Sequence, residues 1–364
     1  MSKALAVSEI LDWLREENPE QLKELWQLAN DTRREHVGDA VHLRGLVEIS
    51  SFCARQCAYC GLRAGNNILA RYRMPMGEVF AAAQQAVEFG YGTVVLQAGE
   101  DYGISAKSLA ELVRRIKSET PLAVTLSLGE RPDPELVAWR EAGADRYLLR
   151  FETSDRELFD AIHPPLGTQK CDRFAILQRL RELGYEVGSG IMVGIPGQTY
   201  ASVAQDIALF RDLDLDMIGI GPFIPHPATP LGNGAQNNSE IHGDQAPNTE
   251  LMVYKAIALT RLVRPDANIP ATTALATINK INGRELGLQR GANVFMPNLT
   301  PQKYRKLYEI YPDKACVGET GAACHGCLNV RIGMIGRHAG QGTGGRRERQ
   351  KAAGHLARTE LCHA

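Results

Sequence analysis

The sequence predicts an α/β fold, a (β/α)8 barrel of the TIM type. Three observations predict it: short apolar runs alternate eight times with segments of helical spacing, glycine-containing breaks precede several of these runs, and 364 residues are enough for one large core. Repeated alternation of strand and helix favours parallel strands joined by crossover helices, and a closed barrel is their most economical arrangement. A doubly wound open sheet is the alternative.

The predicted elements divide the chain into four parts. Residues 1–43 form a helical extension, because leucines make an apolar stripe among charged residues. Residues 44–310 form the barrel, residues 311–337 form a cysteine-containing extension, and residues 338–364 form a tail that is expected to be mobile. The eight predicted strands, with helix-like segments between them, are 44–50, 93–97, 123–128, 146–149, 188–193, 217–220, 268–272 and 293–296.

The composition argues against several classes of function. Lys plus Arg number 41 and Asp plus Glu number 42, whereas a nucleic-acid surface would need a basic excess. No apolar run approaches the ~20 residues of a membrane helix, and acidic residues occur where an export signal would be apolar. We therefore expect a cytoplasmic protein, in which eight cysteines are reduced, metal-binding or catalytic rather than disulfide-bonded.

Three of the cysteines lie close together directly after the first predicted strand. They are Cys53, Cys57 and Cys60, and in a barrel this position lies on the face where sites form. Structural zinc prefers four ligands in a closed site, whereas a cubane iron–sulfur cluster takes one thiolate per iron. Three thiols can therefore hold a cluster that leaves one iron open to another ligand. A zinc knuckle completed by a distant histidine is the alternative.

The pattern Cys-x3-Cys-x2-Cys, with Tyr59 before the last cysteine, resembles the signature of the radical S-adenosylmethionine (SAM) superfamily. The stretches LQAGED, ELGYEVGSGIMVGIPGQT, IGIGPFIPHPATPL and NIPATTA resemble the HydE family of [FeFe]-hydrogenase maturases, with biotin synthase and methylornithine synthase as related families. The resemblance implies an oxygen-labile [4Fe-4S] cluster on the three cysteines and reductive cleavage of SAM to a 5′-deoxyadenosyl radical. It further implies a role in assembly of the di-iron subcluster of hydrogenase.

The same resemblance implies which residues contact SAM. The end of the second strand occupies the place of a Gly-Gly-Glu element that binds the methionine amino group, with Ala98 in place of the first glycine. Glu152 matches an acid that binds ribose hydroxyls, and Arg173 matches an arginine that meets the carboxylate, although a surface helix charge is the alternative for Arg173. The residues implied to bind SAM are Gln97, Ala98, Gly99, Glu100, Glu152, Arg173, Met192 and Ile220.

A substrate pocket is expected in the cavity, between residues that could face one another across the barrel. Arg150 ends the fourth strand and Thr272 and Thr273 end the seventh, so a cation and two hydroxyls could hold an anion or a carboxylate. A β-branched strand end without a ligand is the alternative for the two threonines. The expected partners are a small organometallic or amino-acid-derived substrate, a one-electron reductant and other hydrogenase maturases. Further candidates for the lining are Arg146, Tyr304 and Tyr308.

A second cysteine group follows the last barrel helix. Cys316, Cys324 and Cys327 resemble the accessory iron–sulfur site of some HydE proteins, which implies a [2Fe-2S] or [4Fe-4S] cluster, with zinc as the alternative. Cys171 and Cys362 have no partner in sequence, and Cys171 is interpreted as a buried helix residue.

Two other functions stay open at this point. A biotin-synthase-like or methylornithine-synthase-like enzyme would act on an amino acid and would not affect hydrogenase activation. An iron–sulfur carrier or scaffold would transfer a cluster without cleaving SAM, and it would have no use for nucleoside-binding elements.

Overall fold

The computed structural model describes residues 5–168, 170–234 and 244–346. The strands are β1 (Ala40–Ser50), β2 (Thr93–Ala98), β3 (Ala123–Ser127), β4 (Arg146–Leu148), β5 (Glu186–Val193), β6 (Met217–Pro222), β7 (Val294–Phe295) and β8 (His338–Ala339). The helices are α1 (Val7–Arg15), α2 (Pro19–Val37), α3 (Met76–Glu88), α4 (Ala106–Glu119), α5 (Asp133–Glu141), α6 (Arg156–Ile162), α7 (Arg173–Glu182), α8 (Tyr200–Asp212), α9 (Glu250–Val263), α10 (Thr273–Ile278), α11 (Gly283–Gln289), α12 (Gln302–Arg305) and α13 (Gly321–Met334). Among these helices, none combines the length and the hydropathy that a bilayer-spanning segment requires.

The strands form one curled parallel sheet. They pair in the order β6-β5-β4-β3-β2-β1-β7, and each pairing between neighbours is parallel. Helices between successive strands supply the crossovers that parallel pairing requires. The carboxyl ends of the strands therefore meet at one face of the barrel, where sites form in this fold.

The segment predicted as the seventh strand, residues 268–272, closes the barrel without forming a regular strand. Asn268 bridges to Met217 on β6, and Pro270 bridges to Val294 on β7, both in the parallel sense. Backbone hydrogen bonds of 2.9 and 3.0 Å accompany the two bridges. Proline has no backbone N–H, so a continuous ladder cannot run through this segment. The closure confirms the predicted barrel over an open doubly wound sheet.

The N-terminal helices lie outside the sheet and share its core. Helix α1 packs against α8 and α9, and α2 packs against α9. Ile10 and Leu14 of α1 and Leu25 of α2 are fully buried and belong to the same hydrophobic cluster as the barrel. Burial of these side chains ties the helical extension predicted for residues 1–43 to the barrel wall.

Residues 338–346 close the barrel at the amino ends of the strands. Strand β8 pairs with the start of β1, and Arg346 forms ion pairs with three aspartates. The expectation of a mobile tail is therefore corrected for these residues, because strand pairing and ion pairs hold them against the barrel. The rest of the predicted tail, residues 347–364 with Cys362, lies outside the described residues.

Candidate functional site

A cavity of about 320 Å3 opens at the carboxyl ends of the strands. Its volume extends into the barrel because Gly219 and Gly221, on the inner side of β6, place no side chain there. Most of the residues singled out from the sequence come together on its wall. They are Cys53, Cys57, Cys60, Gln97, Ala98, Gly99, Glu100, Arg150, Glu152, Arg173, Met192, Thr272 and Thr273.

The loop that carries the first cysteine trio is held against the turn after β2. The backbone N–H of Ala54 donates to the carbonyl oxygen of Glu100 at 2.9 Å. A Cβ atom placed on Gly99 would lie 2.5 Å from the carbonyl oxygen of Phe52 and 2.7 Å from Cβ of Cys53. Only glycine fits at this contact, whereas the neighbouring Ala98 is accommodated. The approach of the two loops fixes the position of Cys53.

The sulfur atoms of the trio suit a cluster better than a single ion. Within the described parts of the chain, one group of three or more His, Cys, Asp or Glu side chains has all its ligand atoms within 4.8 Å, and neither cysteine trio belongs to it. Thiolates on one tetrahedral zinc would lie roughly 3.8 Å apart, given Zn–S bonds of about 2.3 Å. In the first trio at least one pair of sulfur atoms is therefore more than 4.8 Å apart, which fits the separate irons of a cubane better than one zinc ion.

Burial makes these cysteines dependent on a metal to become thiolates. Burial raises the pKa of the Cys53, Cys57 and Cys60 thiols above the ordinary value, that of Cys60 to about 12. Without a cluster the thiols stay protonated at neutral pH, and cluster binding must release their protons.

The group whose ligand atoms do converge is Glu130, His163 and Cys171, behind the cluster loop. His163 Nε2 lies 3.0 Å from Glu130 Oε1, and its Nδ1 lies 3.1 Å from Cys57 Sγ. Burial acts to raise the pKa of Glu130, but hydrogen bonding with His163 and the charge of Arg173 hold it well below the ordinary value. Arg55 also donates to Glu130 and to Glu100, at 2.5 Å each.

This group is a hydrogen-bond network rather than a cation site, because two guanidinium groups already neutralise its carboxylate. Arg173, the first residue of α7, is buried in it, which excludes the interpretation of Arg173 as a surface charge. Cys171 is buried as expected but precedes α7 instead of lying within a helix. The sequence analysis did not single out Arg55, Glu130 or His163. Arg55 inside the cysteine motif was the available signal.

Glu152 lies in a strained turn at the cavity wall. Its φ is 65°, and the N–H of Thr153 donates to the carbonyl oxygen of Phe151 at 2.8 Å, which makes a γ-turn of the rare kind. Glu152 Oε2 is buried and has no hydrogen-bond partner, although a guanidinium nitrogen of Arg150 lies 3.1 Å away. Arg150 Nε is likewise buried without a partner. The two side chains therefore form an ion pair in which Glu152 Oε2 and Arg150 Nε still lack hydrogen bonds.

The predicted substrate residues approach one another around Gly221. A Cβ atom placed on Gly221 would lie 3.6 Å from Thr272 Oγ1 and 4.0 Å from Arg150 Nη1. Thr272 is the N-cap of α10 and accepts from the N–H of Leu275, so its hydroxyl is partly occupied by the helix. The structure thus brings the cation and the threonines to one side of the cavity.

Two expectations from the sequence are corrected. Ile220 does not line the cavity: on β6 the inner positions are taken by Gly219 and Gly221, and the side chain of Ile220 is fully buried in the core on the other face. Arg146 lies at the opposite end of the barrel, where its Nε donates to Glu186 Oε2 at 2.5 Å. Of the two further tyrosine candidates, Tyr308 lines the cavity, whereas Tyr304 stacks on Tyr72 at 4.7 Å.

A buried ion pair on the cavity wall was missed. Lys314 Nζ lies 2.7 Å from Glu48 Oε1 and donates to the carbonyl oxygen of Tyr308 at 2.8 Å. Asn298 donates to the other oxygen of Glu48 at 3.1 Å. The available signal was Glu48 between apolar residues of the first strand, since a buried charge needs a partner.

The second trio lies beside α10 and α11, on the far side of the wall. Hydrogen bonding with Cys324, together with the charge of Arg284, lowers the pKa of Cys316 below the ordinary value of a thiol. Cys327 is exposed. Arg284 donates to Cys316 Sγ at 3.4 Å and to Thr273 Oγ1 at 3.1 Å. The accessory cysteines are therefore connected to the predicted substrate residues through one arginine.

A parallel barrel is typical of radical SAM enzymes when three cysteines, one fewer than the irons of a cubane, lie on the wall of a nucleoside-sized cavity. The Radical SAM superfamily model matches residues 47–210. The chain is 47% identical over 323 residues to the [FeFe] hydrogenase maturase subunit HydE of Thermotoga maritima, covering 89% of this chain and 88% of that protein. The chain belongs to the HydE family of the radical SAM superfamily.

More distant relatives agree with this placement. The 3-methylornithine synthase of Methanosarcina acetivorans is 29% identical over 280 residues, covering 76% of this chain and 75% of that protein. The crystal structure of methylornithine synthase (PylB) superposes with a TM-score of 0.80 at 26% identity, covering 93% of this chain and 95% of that one. The chain therefore shares its fold with methylornithine synthase over most of its length.

Proposed function

We propose that this chain cleaves SAM reductively and acts in assembly of the di-iron subcluster of [FeFe]-hydrogenase. The observation that supports it most directly is the open cysteine trio on the wall of a cavity whose lining matches the family's SAM elements. The name of the Thermotoga maritima relative, a hydrogenase maturase subunit, supports the biological role. A biotin-synthase-like enzyme and an iron–sulfur carrier are the alternatives that the experiment below separates.

Cys53, Cys57 and Cys60 would hold a [4Fe-4S] cluster with one iron open toward the cavity. When bound, the cluster supplies the electron that cleaves the sulfonium of SAM and yields the 5′-deoxyadenosyl radical. The chain supplies the setting: Gly99 keeps the cysteine loop in place, and the apolar lining shields a reactive ligand from water.

The acidic groups of the wall would orient SAM. An ammonium group presents only donors, and the carboxylate of Glu100, whose Oε2 accepts from Arg55, would be an acceptor for it. The unpartnered Oε2 of Glu152 would accept from ribose hydroxyls, and Met192 would offer an apolar surface to adenine. Arg173 donates to Glu130 through Nε. We therefore propose that it attracts the SAM carboxylate through its positive charge.

A second group of residues on the cavity wall would bind the substrate. Arg150 and Lys314 bring positive charge to the cavity, with Glu48 as the counter-ion of Lys314, and Thr272 and Thr273 add hydroxyls. These groups suit a small anion, either an organometallic complex or an amino-acid-derived molecule with a carboxylate. We further propose a cytoplasmic setting, a one-electron reductant and cooperation with other hydrogenase maturases.

The test is hydrogenase maturation in vitro under strict anaerobiosis, with the protein present or omitted. We expect hydrogenase activity and 5′-deoxyadenosine with the wild-type protein, and neither with C57A. A new product from a free amino acid, without an effect on hydrogenase, would favour the biotin-synthase-like alternative. Cluster transfer to an apoprotein without 5′-deoxyadenosine would favour the carrier.

A further inference from the structure

The turn after β4 is held in a conformation that the chain does not adopt by itself. Glu152, at its centre, has a φ of 65° in the γ-turn closed by Thr153 and Phe151. A residue with a side chain pays of order 1–3 kcal/mol for such a conformation, so the surroundings must impose it. Glu152 is also bound on its strand side, since its N–H donates to the carbonyl oxygen of Gly190 at 3.1 Å.

The other side of the turn is bound by Asp206, on α8. Asp206 Oδ1 accepts from the backbone N–H of Ser154 at 2.6 Å and also from the Ser154 hydroxyl. Thr153 Oγ1 lies 3.5 Å from Ser202 Oγ, one turn earlier on α8. The residues directly after Glu152 thus contact α8, while Glu152 itself is hydrogen-bonded to β5.

Asp206 is an unusual group for this position. It is fully buried, it forms no ion pair within the described residues, and its Oδ2 has no hydrogen-bond partner. Burial raises the pKa of Asp206 to about 7, with the neighbouring charge of Asp155 adding to the effect. Burying this carboxylate is costly, and its hydrogen bonds go only to the turn. Its role is therefore to fix the turn.

We propose that Asp206 is a positioning residue for the SAM site: by clamping Ser154 it keeps the carboxylate of Glu152 aimed into the cavity. The inference rests on the proposed function in one respect, the contact of Glu152 with SAM. Asp206 does not line the cavity, so it acts through Glu152 and not on the ligand.

The experiment measures SAM affinity by anaerobic equilibrium dialysis on protein whose cluster is fully loaded, with iron content and the cluster EPR signal as folding checks. We expect D206A, which removes the acceptor of both hydrogen bonds, to weaken SAM binding by at least about tenfold, and S154A, which removes one of them, by about threefold. The matched control is D212N, on the exposed end of the same helix, which should bind SAM like the wild type.

A double variant shows whether Asp206 acts through Glu152. E152Q alone should weaken SAM binding, and E152Q with D206A should bind no more weakly than E152Q. Additive losses would overturn the inference, as would wild-type affinity in both D206A and S154A. If D206A does not fold, S154A decides alone. Wild-type affinity in E152Q would instead overturn the proposed contact of Glu152 with SAM, which is a separate failure.

Discussion

Replacing Gly99 by alanine tests the contact on which the cluster site depends. Gly99 follows β2 and lies against the loop that begins with Phe52 and Cys53. The added Cβ would lie 2.5 Å from the carbonyl oxygen of Phe52, whereas ordinary contacts begin at 3.4 Å, so the two loops must separate by about 0.9 Å. A backbone oxygen cannot rotate away, so the cysteine loop itself has to move.

The cost should appear in cluster binding more than in the fold. Overpacking of this kind costs about 1–3 kcal/mol, and here the strain falls on the residue next to a cluster ligand. A penalty of that size corresponds to roughly 5- to 150-fold in the affinity for the cluster. The unfolding free energy of the metal-free protein should fall less, because the loop can relax when no cluster holds it.

The assay is anaerobic reconstitution with iron and sulfide, followed by measurement of iron content and of the spectral response to SAM. G77A is the matched control, since nothing lies within 4 Å of a Cβ atom at Gly77 in α3. It should load the cluster fully and gain up to about 1 kcal/mol of stability. Wild-type iron content and SAM response in G99A would refute the reasoning about the loop contact.

Three further predictions follow from the same geometry. C57A should abolish 5′-deoxyadenosine formation while C324S retains it, because Cys57 lies on the cavity wall and Cys324 does not. Loss of 5′-deoxyadenosine in a folded, cluster-loaded C324S protein would contradict this prediction. M192A should weaken SAM binding several-fold by removing apolar contact, whereas I220V should leave it within about twofold, as dialysis can show. Asp206 has a folded pKa of about 7, above its unfolded value, so the protonated form is the more stable in the folded state. Its contribution to stability is therefore present below about pH 4 and is lost as pH rises toward 7, by roughly 3–4 kcal/mol, and D206N should lack this slope in denaturant titrations of the metal-free protein.

The regular part of the barrel could be predicted because its strands are short apolar runs with clear boundaries. The segment 268–272 looked like another strand, yet Pro270 interrupts its ladder and leaves two isolated bridges. Ile220 was assigned to the cavity by likeness alone, although strand alternation already placed Gly219 and Gly221 on one face and Ile220 on the other. A stricter use of the two-residue period would have avoided that error.

The buried polar networks could not be predicted, because their members are far apart in sequence. Glu48 and Lys314 are 266 positions apart, and Arg55 and Glu130 are 75 apart. Glu130 and Lys314 alone resemble ordinary surface charges, and the positions of Glu48 and Arg55 do not indicate which distant residue pairs with them. Only the closed barrel brings them together, and burial then makes the pairing necessary, since an unpaired charge would be too costly there.

The residues proposed to bind SAM and those proposed to bind the substrate come from partly different parts of the chain. The first cysteine trio, Glu152 and Arg173 all lie within residues 47–210, the part that the superfamily model matches. Of the proposed substrate residues Arg150 lies within it as well, whereas Thr273 and Lys314 follow it. Arg284 joins Cys316 to Thr273 by two hydrogen bonds. Because Arg284 contacts both residues, we expect a change at Cys316 to alter Thr273 while it leaves SAM cleavage intact.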